Sequence, residues 1–416
     1  MEPSRGPRSF ATCPGLERCG CYLLGYQLVM RAADEIPEEE IEQRRVSVRN
    51  AMAEHGLDAA IVTAPEEVYY LSGLRNQGHF VFTALVMSSD PETTVLVARE
   101  MEAPTAALQA RGCDFAGYSD GRDPAELLCT VLATDGGDKQ VLGYQPESLS
   151  FPIAAWRTVD RELGSPTWVD CTPWLSNLQQ ARTDREIRHL RRAGQLSDLG
   201  MQAGIDAAAE GCTGGQIVGA IEDAMLTAGS DYPGFVPLVR PITQIRQEHV
   251  AWTADAIQHS DSLFLELSAA SGRYHAPLAR TVRAPDTDNP APADELAHAG
   301  LETIIQGLRP GRTAAEVYQD WRVTIEARLG HPYPRHHCGY FVGIGFPPSW
   351  MAGRVDSLRP ENRLVLRPGM TFHIQSWVVD DQLGTAAMSD TAMVTINGGE
   401  LLTATPHHPM WSTKHK

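Results

Sequence analysis

Three short tetrads of the form Thr-x-x-Glu or Thr-x-x-Gln constrain the fold of this chain most, because each fixes the point at which a helix begins. They occupy residues 183–186, 213–216 and 313–316. In such a tetrad the threonine hydroxyl and the side chain three residues later bond to the free backbone amides at a helix start. Apolar residues at helical spacing follow the second and third tetrads, for example between residues 217 and 225. The tetrads therefore predict helices that begin at these three points.

Strand-like runs lie between and after these predicted helices. Each run is rich in apolar and β-branched residues and is bounded by residues that favour turns. We expect the runs to form a sheet, antiparallel in part, against which the helices pack. The runs are residues 262–267, 274–282, 372–379 and 391–396.

The first half of the chain alternates helix and strand patterns. A charged stretch, residues 38–55, predicts a helix that ends at Gly56, and the apolar residues 59–62 predict the strand that follows. Such alternation over about 130 residues is typical of a compact α/β domain. Further strands are predicted at residues 68–71, 80–87 and 94–98, and further helices near residues 101–111 and 123–134.

The domain organisation follows from these patterns and from the length of 416 residues, which suits two or three domains. Residues 1–37 contain several prolines and glycines without a sustained period, so we expect a poorly ordered arm there. We place an N-terminal domain at residues 38–175 and a second domain at residues 176–410.

The charge of the chain argues against two classes of main partner. It carries 35 basic and 52 acidic side chains, a formal net charge of −17 at pH 7. Such a charge repels nucleic-acid phosphates and anionic lipid, and no sequence run reaches the roughly 18 to 20 apolar residues of a membrane span. The eight cysteines are sparse and lack the paired spacing of a zinc site, a pattern typical of reduced thiols in a cytoplasmic protein.

Four polar residues stand inside the apolar strand-like runs: Glu266, His275, Arg280 and Gln375. Because a buried carboxylate is costly without a partner, Glu266 needs either a counter-ion or a use for its charge. Two interpretations stay open: a structural ion pair between Glu266 and Arg280, or a polar site. The sequence carries no phosphate-binding loop, G-x-S-x-G, H-E-x-x-H or C-x-x-C motif that would favour another kind of site.

Two further segments are candidates for a site. His249 follows a predicted loop, and a histidine with an ordinary pKa near 6.5 is either a proton shuttle or a solvated side chain. The glycine- and proline-rich stretch 336–350 favours an irregular, aromatic-lined pocket. Its His336 and His337 suggest a metal site only weakly, because adjacent side chains on an extended backbone point to opposite faces.

Taken together, residues 264–282, 339–350 and 366–373 resemble the creatinase and aminopeptidase P superfamily, and within it ectoine hydrolases most closely. The resemblance covers roughly residues 40–405. It implies an α/β (α+β) architecture, with a pita-bread catalytic domain and a smaller N-terminal α/β creatinase-like domain.

Metallopeptidases of this superfamily hold two metal ions with two aspartates, a histidine and two glutamates. By the resemblance, these five positions fall on Glu266, Pro277, Tyr340, Gln375 and Ser389. At most one good ligand for a hard divalent cation survives. His373 and Asp390 are near these positions, but each would need a shift of register to take their place. The resemblance therefore implies a site without metal or any other cofactor.

The metal-free branch of the superfamily transfers protons through a histidine, and that histidine falls on His249. By the same resemblance Glu266 anchors a cationic or amidine-type group, and Tyr340 replaces a metal ligand with a phenol that can form hydrogen bonds. Metal-free members form homodimers, so a loop at residues 70–80 is expected to reach the partner's site. The expected substrate-binding residues are His275, Gln375, Trp377 and Asp390, with Arg75 and Phe80 acting across the dimer interface.

Three functions remain open from the sequence. The first is metal-independent hydrolysis of a C–N bond in a small cyclic amidine, lactam or amide. The second is a metal-independent lyase, cyclase or dehydratase that uses the same residues without adding water. The third is a non-catalytic binding module, in which His249 would be dispensable.

Overall fold

The structure is a computed structural model, and it describes residues 36–133, 140–285, 287–351 and 356–410. Almost all of the arm predicted at residues 1–37 lies outside the described part of the chain. From Glu38 onward the described residues belong to one compact unit. Among them, no helix is both long and apolar enough to cross a bilayer.

The first half of the chain builds a six-stranded mixed sheet. Its strands are β1 (Ala59–Val62), β2 (Ala84–Ser88), β3 (Thr94–Arg99), β4 (Asp114–Tyr118), β5 (Val141–Tyr144) and β6 (Thr167–Asp170). Their order is β4-β3-β2-β1-β5-β6, with β2 antiparallel to both of its neighbours and the other pairs parallel. The helices are α1 (Glu38–His55), α2 (Pro65–Ser72), α3 (Ala103–Gln109), α4 (Pro124–Leu132), α5 (Ile153–Glu162) and α6 (Thr172–Leu178).

The predicted α1, β1 and β3 are confirmed in this half, whereas one strand prediction is wrong and another begins too early. Residues 68–71, predicted as a strand, belong to helix α2, which begins at Pro65. Proline suits the first turn of a helix, and every residue of α2 from Glu66 to Ser72 is buried, so no alternation distinguishes helix from strand. The strand predicted at residues 80–87 begins only at Ala84, after a short 3₁₀ turn.

The second half builds a seven-stranded sheet in which every pairing is antiparallel. Its strands are β7 (Leu238–Pro241), β8 (Leu263–Leu267), β11 (Leu278–Val282), β12 (Gly339–Phe341), β13 (Thr371–Asp380), β14 (Gly384–Thr395) and β15 (Gly398–Leu401). The order is β12-β13-β14-β11-β8-β7, and β15 pairs with β14. The strand predicted at residues 274–282 is interrupted at Pro277, which has no N–H to donate to a ladder. Its first part is β10 (Tyr274–His275), paired with β9 (Ala270–Ser271).

All three predicted helix starts are confirmed. Thr183 accepts a hydrogen bond from the backbone N–H of Glu186, and its own N–H donates to the Glu186 carboxylate. Thr213 and Thr313 form the same reciprocal cap with the residues three positions later. The four helices of this half are α7 (Asp184–Ala207), α8 (Gly214–Thr227), α9 (Pro292–Gly307) and α10 (Ala314–Leu329).

These helices cover one face of the second sheet. Leu263, Leu265 and Leu267 of β8 pack into the same apolar cluster as Ile221 of α8. Because side chains alternate along a strand, Phe264 and Glu266 must point to the opposite face. Phe264 packs there against Trp377 of β13. That face carries the polar residues of the candidate site.

Candidate active site

The register of the second sheet brings distant polar residues together. Glu266 of β8 pairs with Ala279, Ala279 with Ser389, and Ser389 with Gln375, so these residues form one row across four strands. Tyr340 of β12 pairs with His373 on the neighbouring row. Residues directly opposite each other in an antiparallel pair share a face. We call Glu266, Tyr340, His373, Gln375 and Ser389 the His373 cluster.

His373 lies at the centre of this cluster. Its Nδ1 lies 2.8 Å from the hydroxyl of Tyr340, and its Nε2 lies 2.6 Å from the hydroxyl of Ser389. The Nε2 of Gln375 is 3.3 Å from the same Nδ1. The ring is fully buried, as is Ser389, and Tyr340, Gln375 and Glu266 are nearly so. The cluster is therefore largely shielded from solvent.

Trp350 fixes the direction of the hydrogen bonds in the cluster. Its indole N–H can only donate, and it lies 2.9 Å from the oxygen of Tyr340. Tyr340 accepts that bond and is free to donate its own hydrogen to Nδ1 of His373. In this arrangement the proton of the neutral His373 ring sits on Nε2, which faces Ser389 and the carboxyl of Glu266.

Burial sets the charge of the two central ionisable groups. It raises the pKa of Glu266 to about 7, although the Arg240 guanidinium acts in the opposite direction. It lowers the pKa of His373 to about 3, so the ring is neutral at neutral pH. The 4.0 Å separation between Nε2 of His373 and Glu266 is therefore not an ion pair. Near pH 7 Glu266 can both give and take a proton.

His249, the predicted proton-transfer residue, is exposed in a turn after β7. It is near enough to His336 to interact with it electrostatically, and His337, the neighbour of His336, packs edge-on against Tyr340 with the ring centres 5.5 Å apart. The residue before it, Glu248, pairs with Arg335 at 3.0 Å. His249 thus lies outside the buried His373 cluster, and its role stays a prediction.

Trp377, predicted to bind substrate, lies on the site face of β13. Its ring packs on Phe264, and the Arg335 guanidinium stacks over it at 4.1 Å. Gln375, two residues earlier on the same strand, belongs to the His373 cluster. Both residues lie on the same face of β13, and their contact with substrate stays a prediction.

His275, predicted to line the pocket, is bound on both sides by backbone. Its Nε2 accepts from the N–H of Gly234 at 2.8 Å, and its Nδ1 lies 2.9 Å from the carbonyl of Arg273. The ring is fully buried, and burial lowers its pKa to about 3. His275 therefore fixes the loop before Phe235, which packs on Trp350.

The structural ion pair considered between Glu266 and Arg280 does not form, because the two side chains point to opposite faces of the sheet. Arg280 pairs instead with Asp390, at 2.8 Å between Nη2 and Oδ1. Asp390 also accepts from Thr403 and contacts His407 at 2.9 Å. Asp390 was predicted to bind substrate, but it lies on the opposite face of β14 from its neighbour Ser389.

Arg75 and Phe80 lie on the loop after α2. Phe80 is 76% exposed. Arg75 is partly buried, and its backbone N–H donates to the side chain of Gln109. A contact of either residue with a second chain stays a prediction.

Sequence reasoning missed His373 and Trp350 as members of the site. A signal for His373 was present, because Gln375 and Trp377 were both assigned to the pocket and alternation puts residue 373 on the same face. For Trp350 the signal was its place at the end of the stretch 336–350, which was expected to form an aromatic-lined pocket. It lies in an irregular loop, where spacing does not reveal direction.

The five positions at which metallopeptidases of the superfamily hold metal do not suit two metal ions in this chain. Pro277 offers only its backbone carbonyl, which already accepts from Thr391. Ser389 and Tyr340 bond to His373, and neutral hydroxyls are poor replacements for carboxylates around hard cations. Within the described ranges, no three His, Cys, Asp or Glu side chains are arranged to hold a metal ion.

Comparison with known proteins gives a consistent picture. A profile of metallopeptidase family M24 matches residues 188–396, and a profile of the creatinase/prolidase N-terminal domain matches residues 44–180. The ectoine hydrolase of Halomonas elongata is 26% identical over 393 residues, which cover 88% of this chain and 96% of the relative.

Two solved prolidases share the fold. The enzyme from Pyrococcus horikoshii has a TM-score of 0.76 at 20% identity, with 88% of this chain and 99% of that one covered. The prolidase from Thermococcus sibiricus has a TM-score of 0.78 at 18% identity, with 91% of this chain and all of that one covered. The family's metal-ligand positions are not retained in this chain.

Proposed function

The chain belongs to metallopeptidase family M24, and on that premise we propose that it hydrolyses a C–N bond of a small cyclic amidine, lactam or amide without a metal ion. The observation that carries this proposal is the His373 cluster. Where the family has metal ligands, this chain has a single carboxyl group, Glu266, whose pKa is raised to about 7. Beside that carboxyl lies a neutral imidazole that hydroxyl groups hold in place.

Glu266 is the proposed acid and base. As a carboxylate it accepts a proton from a water molecule, whose oxygen forms the new bond to the carbon of the C–N group. As a carboxylic acid it then returns that proton to the nitrogen when the C–N bond breaks. A pKa close to the working pH supports both steps, and general acid–base catalysis contributes about 10² to 10⁴ in rate.

The other members of the cluster orient this carboxyl and the substrate. The Nε2–H of His373 points toward Ser389 and Glu266, while Tyr340 and Trp350 hold Nδ1 and the ring plane. Gln375 offers an amide to a substrate carbonyl or carboxylate. The low polarity of the buried site strengthens each of these bonds.

The charge of the site favours a small and weakly cationic substrate. Glu266 is the carboxyl of the cluster, and an amidinium group would pair with its ionised form. The similarity to an ectoine hydrolase supports a cyclic C–N compound as a substrate class. The prolidases share only the fold, and the activity in their name is not part of the proposal.

The test is turnover of a panel of cyclic amidines, lactams and linear amides by protein freed of metal with a chelator. Hydrolysis gives a product heavier than the substrate by one water, whereas a lyase, cyclase or dehydratase does not. Glu266→Gln should lower kcat by about 10² to 10⁴ and retain substrate binding. Turnover that appears only when Mn²⁺ or Zn²⁺ is added back would contradict the proposal.

His249 needs its own comparison, because the sequence resemblance assigns proton transfer to it. His249→Ala and His373→Ala are measured side by side. A larger loss of kcat in His373→Ala supports the cluster as the acid–base site. A larger loss in His249→Ala moves that role to the exposed histidine and leaves Glu266 as an anchor.

A homodimer is also proposed. Several large apolar side chains are exposed on the first-sheet half of the chain, among them Phe80, Leu149 and Ile153. Burying them against a second copy would remove apolar surface from water. Sedimentation of the full chain tests this, with a dimer expected for the parent protein and a weaker one for Phe80→Asp. A parent monomer at all concentrations rejects it.

A further inference from the structure

A cavity lies between the two halves of the chain, away from the His373 cluster. Its volume is about 350 Å³. Phe341 lines it, whereas its neighbour Tyr340 belongs to the cluster, and adjacent strand residues point to opposite faces. The floor is formed by Glu67 of α2 and by Gln179 and Arg182, which follow α6. The size suits a small organic ligand or a group of water molecules.

The floor contains polar atoms that lack partners among the described residues. These are Nε and Nη1 of Arg182, Oε2 of Glu67 and Oε1 of Gln179. The three residues are only 7%, 4% and 6% exposed, respectively. Buried polar groups in folded proteins are almost always paired, so unpaired atoms on residues that line a cavity point to a ligand that supplies the missing partners.

Arg182 is locked in place rather than free to find an acceptor elsewhere. Its Nη2 donates to the carbonyl of Val342 at 2.9 Å. A Cβ on Gly343 would lie 2.1 Å from the same nitrogen, so only glycine permits this approach. Glu186 acts on Arg182 electrostatically, but its oxygens already accept from Thr183 and Tyr274. The unused hydrogens of Arg182 are thus held within the cavity floor.

Glu67 and Gln179 complement this cation. Burial, and then the neighbouring Glu66, raise the pKa of Glu67, which favours its protonated form. The side-chain amides of Gln145 and Gln179 interact with the carboxyl of Glu67, and its Oε2 has no partner among the described residues, so a protonated Oε2 can donate to a ligand. Gln179 leaves its carbonyl oxygen as an acceptor. The floor offers a fixed cation, a carboxylic acid donor and one acceptor.

We propose that this cavity binds a small carboxylate that also carries an N–H or O–H group. The carboxylate oxygens accept from Arg182 and from the protonated Glu67, and the N–H or O–H group donates to Oε1 of Gln179. Charge-assisted bonds of this kind are stronger than bonds between neutral groups. Asn177 and Arg363 lie at the exposed mouth, so the cavity is open to solutes. The proposal does not depend on the reaction proposed above.

The experiment is a calorimetric titration of the full chain with N-acetylglycine and glycolate, which carry both groups. Acetate tests the carboxylate alone, and acetamide tests a neutral analogue. We expect saturable binding of the first two, weaker binding of acetate and none of acetamide. Arg182→Gln should weaken binding by about 10-fold or more, because one charge-assisted bond is lost. Tyr340→Phe in the catalytic cluster should leave the affinity unchanged.

The pH dependence gives a test that needs no variant at Arg182. Ionisation of Glu67 removes a donor and places a negative charge beside the ligand, so binding should weaken as pH rises through the raised pKa of Glu67. Glu67→Gln keeps an N–H donor and should reduce this pH dependence, leaving only the effect of the neighbouring Glu66, whose pKa burial also raises. The described charged or titratable groups acting on this carboxyl or lining the cavity are Glu66, Cys171, Arg182, Asp356 and Arg363.

Three results would overturn the assignment. One is the absence of saturable binding for every carboxylate, which would mean that water alone fills the cavity. Another is equal binding of acetamide and N-acetylglycine. The third is an unchanged affinity in a folded Arg182→Gln protein, with folding checked by circular dichroism. Each of these results is independent of whether the chain turns over a cyclic amidine.

Discussion

Ser389 and Asp390 are neighbours on β14, but their side chains belong to two polar regions in which the buried carboxyl has different partners and a different pKa shift. Ser389 faces the His373 cluster, and Asp390 faces the helices. On the helix side Arg280 makes five hydrogen bonds, to the Asp390 carboxylate and to four backbone carbonyls. Although burial acts to raise it, Arg280 and His407 hold the pKa of Asp390 below its usual value. On the cluster side burial raises the pKa of Glu266 without such a partner.

The difference shows how one sheet can hold a structural network and a reactive site. A buried ion pair with all of its hydrogen bonds formed keeps its charges fixed over the whole physiological pH range. A buried carboxyl that is not hydrogen-bonded to a cation changes its protonation near neutral pH, which is the property that acid–base chemistry requires. Both carboxyls are buried. The two regions therefore differ in whether the carboxyl is bonded to a cation, and not in how deeply it is buried.

Glu266→Gln is the strongest test of the difference between the reactive and the structural region. We expect kcat to fall by about 10² to 10⁴, because the acid–base group is lost while its volume is kept. Turnover of the best substrate in the panel is the measurement. Asp294→Asn is the matched control, since Asp294 is also buried but is paired with Arg283 on the other side of the sheet. A control that loses as much kcat as Glu266→Gln would remove the distinction between the two regions.

For Asp390→Ala we expect a loss of stability and no loss of kcat, the opposite of Glu266→Gln. Removing one partner leaves Arg280 buried and uncompensated, which costs about 3 to 5 kcal/mol of unfolding free energy. Urea denaturation at pH 7 measures this loss of unfolding free energy. The folded fraction of the variant should keep the kcat of the parent. A loss below about 1 kcal/mol, the range of exposed pairs, would show that the network is not structural.

Much of this fold could be predicted from local patterns in the sequence. Thr183, Thr213 and Thr313 begin helices as predicted, because a capping box acts within one turn and needs no tertiary context. The strand predicted at residues 68–71 failed for the opposite reason. Those residues are buried on every side, so their sequence shows neither the spacing of a helix nor the alternation of a strand. The residue that indicated a helix start was Pro65.

The site was less accessible to sequence reasoning than the fold. Glu266, Gln375 and Trp377 could be found because each falls within a strand that the pattern defines. Asp390 was misplaced because one residue of register decides which face a side chain occupies. Trp350 lies in a loop, and only the folded structure places its N–H on Tyr340.

The pH dependence of the unfolding free energy also tests whether Glu266 is held neutral by burial. The pKa of Glu266 is about 7 in the folded chain, against an ordinary value of 4.5. The folded state therefore holds its proton more tightly, so stability is highest below pH 4.5 for this group and falls as pH rises through about 7. The loss amounts to about 3 kcal/mol by linkage.

Glu266→Gln should remove this dependence, and the variant should be more stable than the parent above pH 7. Urea unfolding at several pH values measures both proteins. Asp294→Asn again serves as the control. If the parent and Glu266→Gln lose stability in parallel between pH 5 and pH 8, the carboxyl is not held neutral by burial.

The smallest expected effect is that of Tyr340→Phe, which tests whether hydroxyl bonds orient the cluster. The variant leaves the Trp350 indole without its acceptor and Nδ1 of His373 without the phenol, at a cost of about 1 to 3 kcal/mol. Tyr69→Phe is the matched control, because Tyr69 is equally buried but its hydroxyl bonds to the carbonyl of Gly272 outside the site. Both variants should lose similar stability, whereas only Tyr340→Phe should lower kcat, by about 10-fold for one hydrogen bond. Equal kcat values in the two variants would mean that Trp350 and Tyr340 support the loop alone, and that His373 is oriented by Ser389 and Gln375.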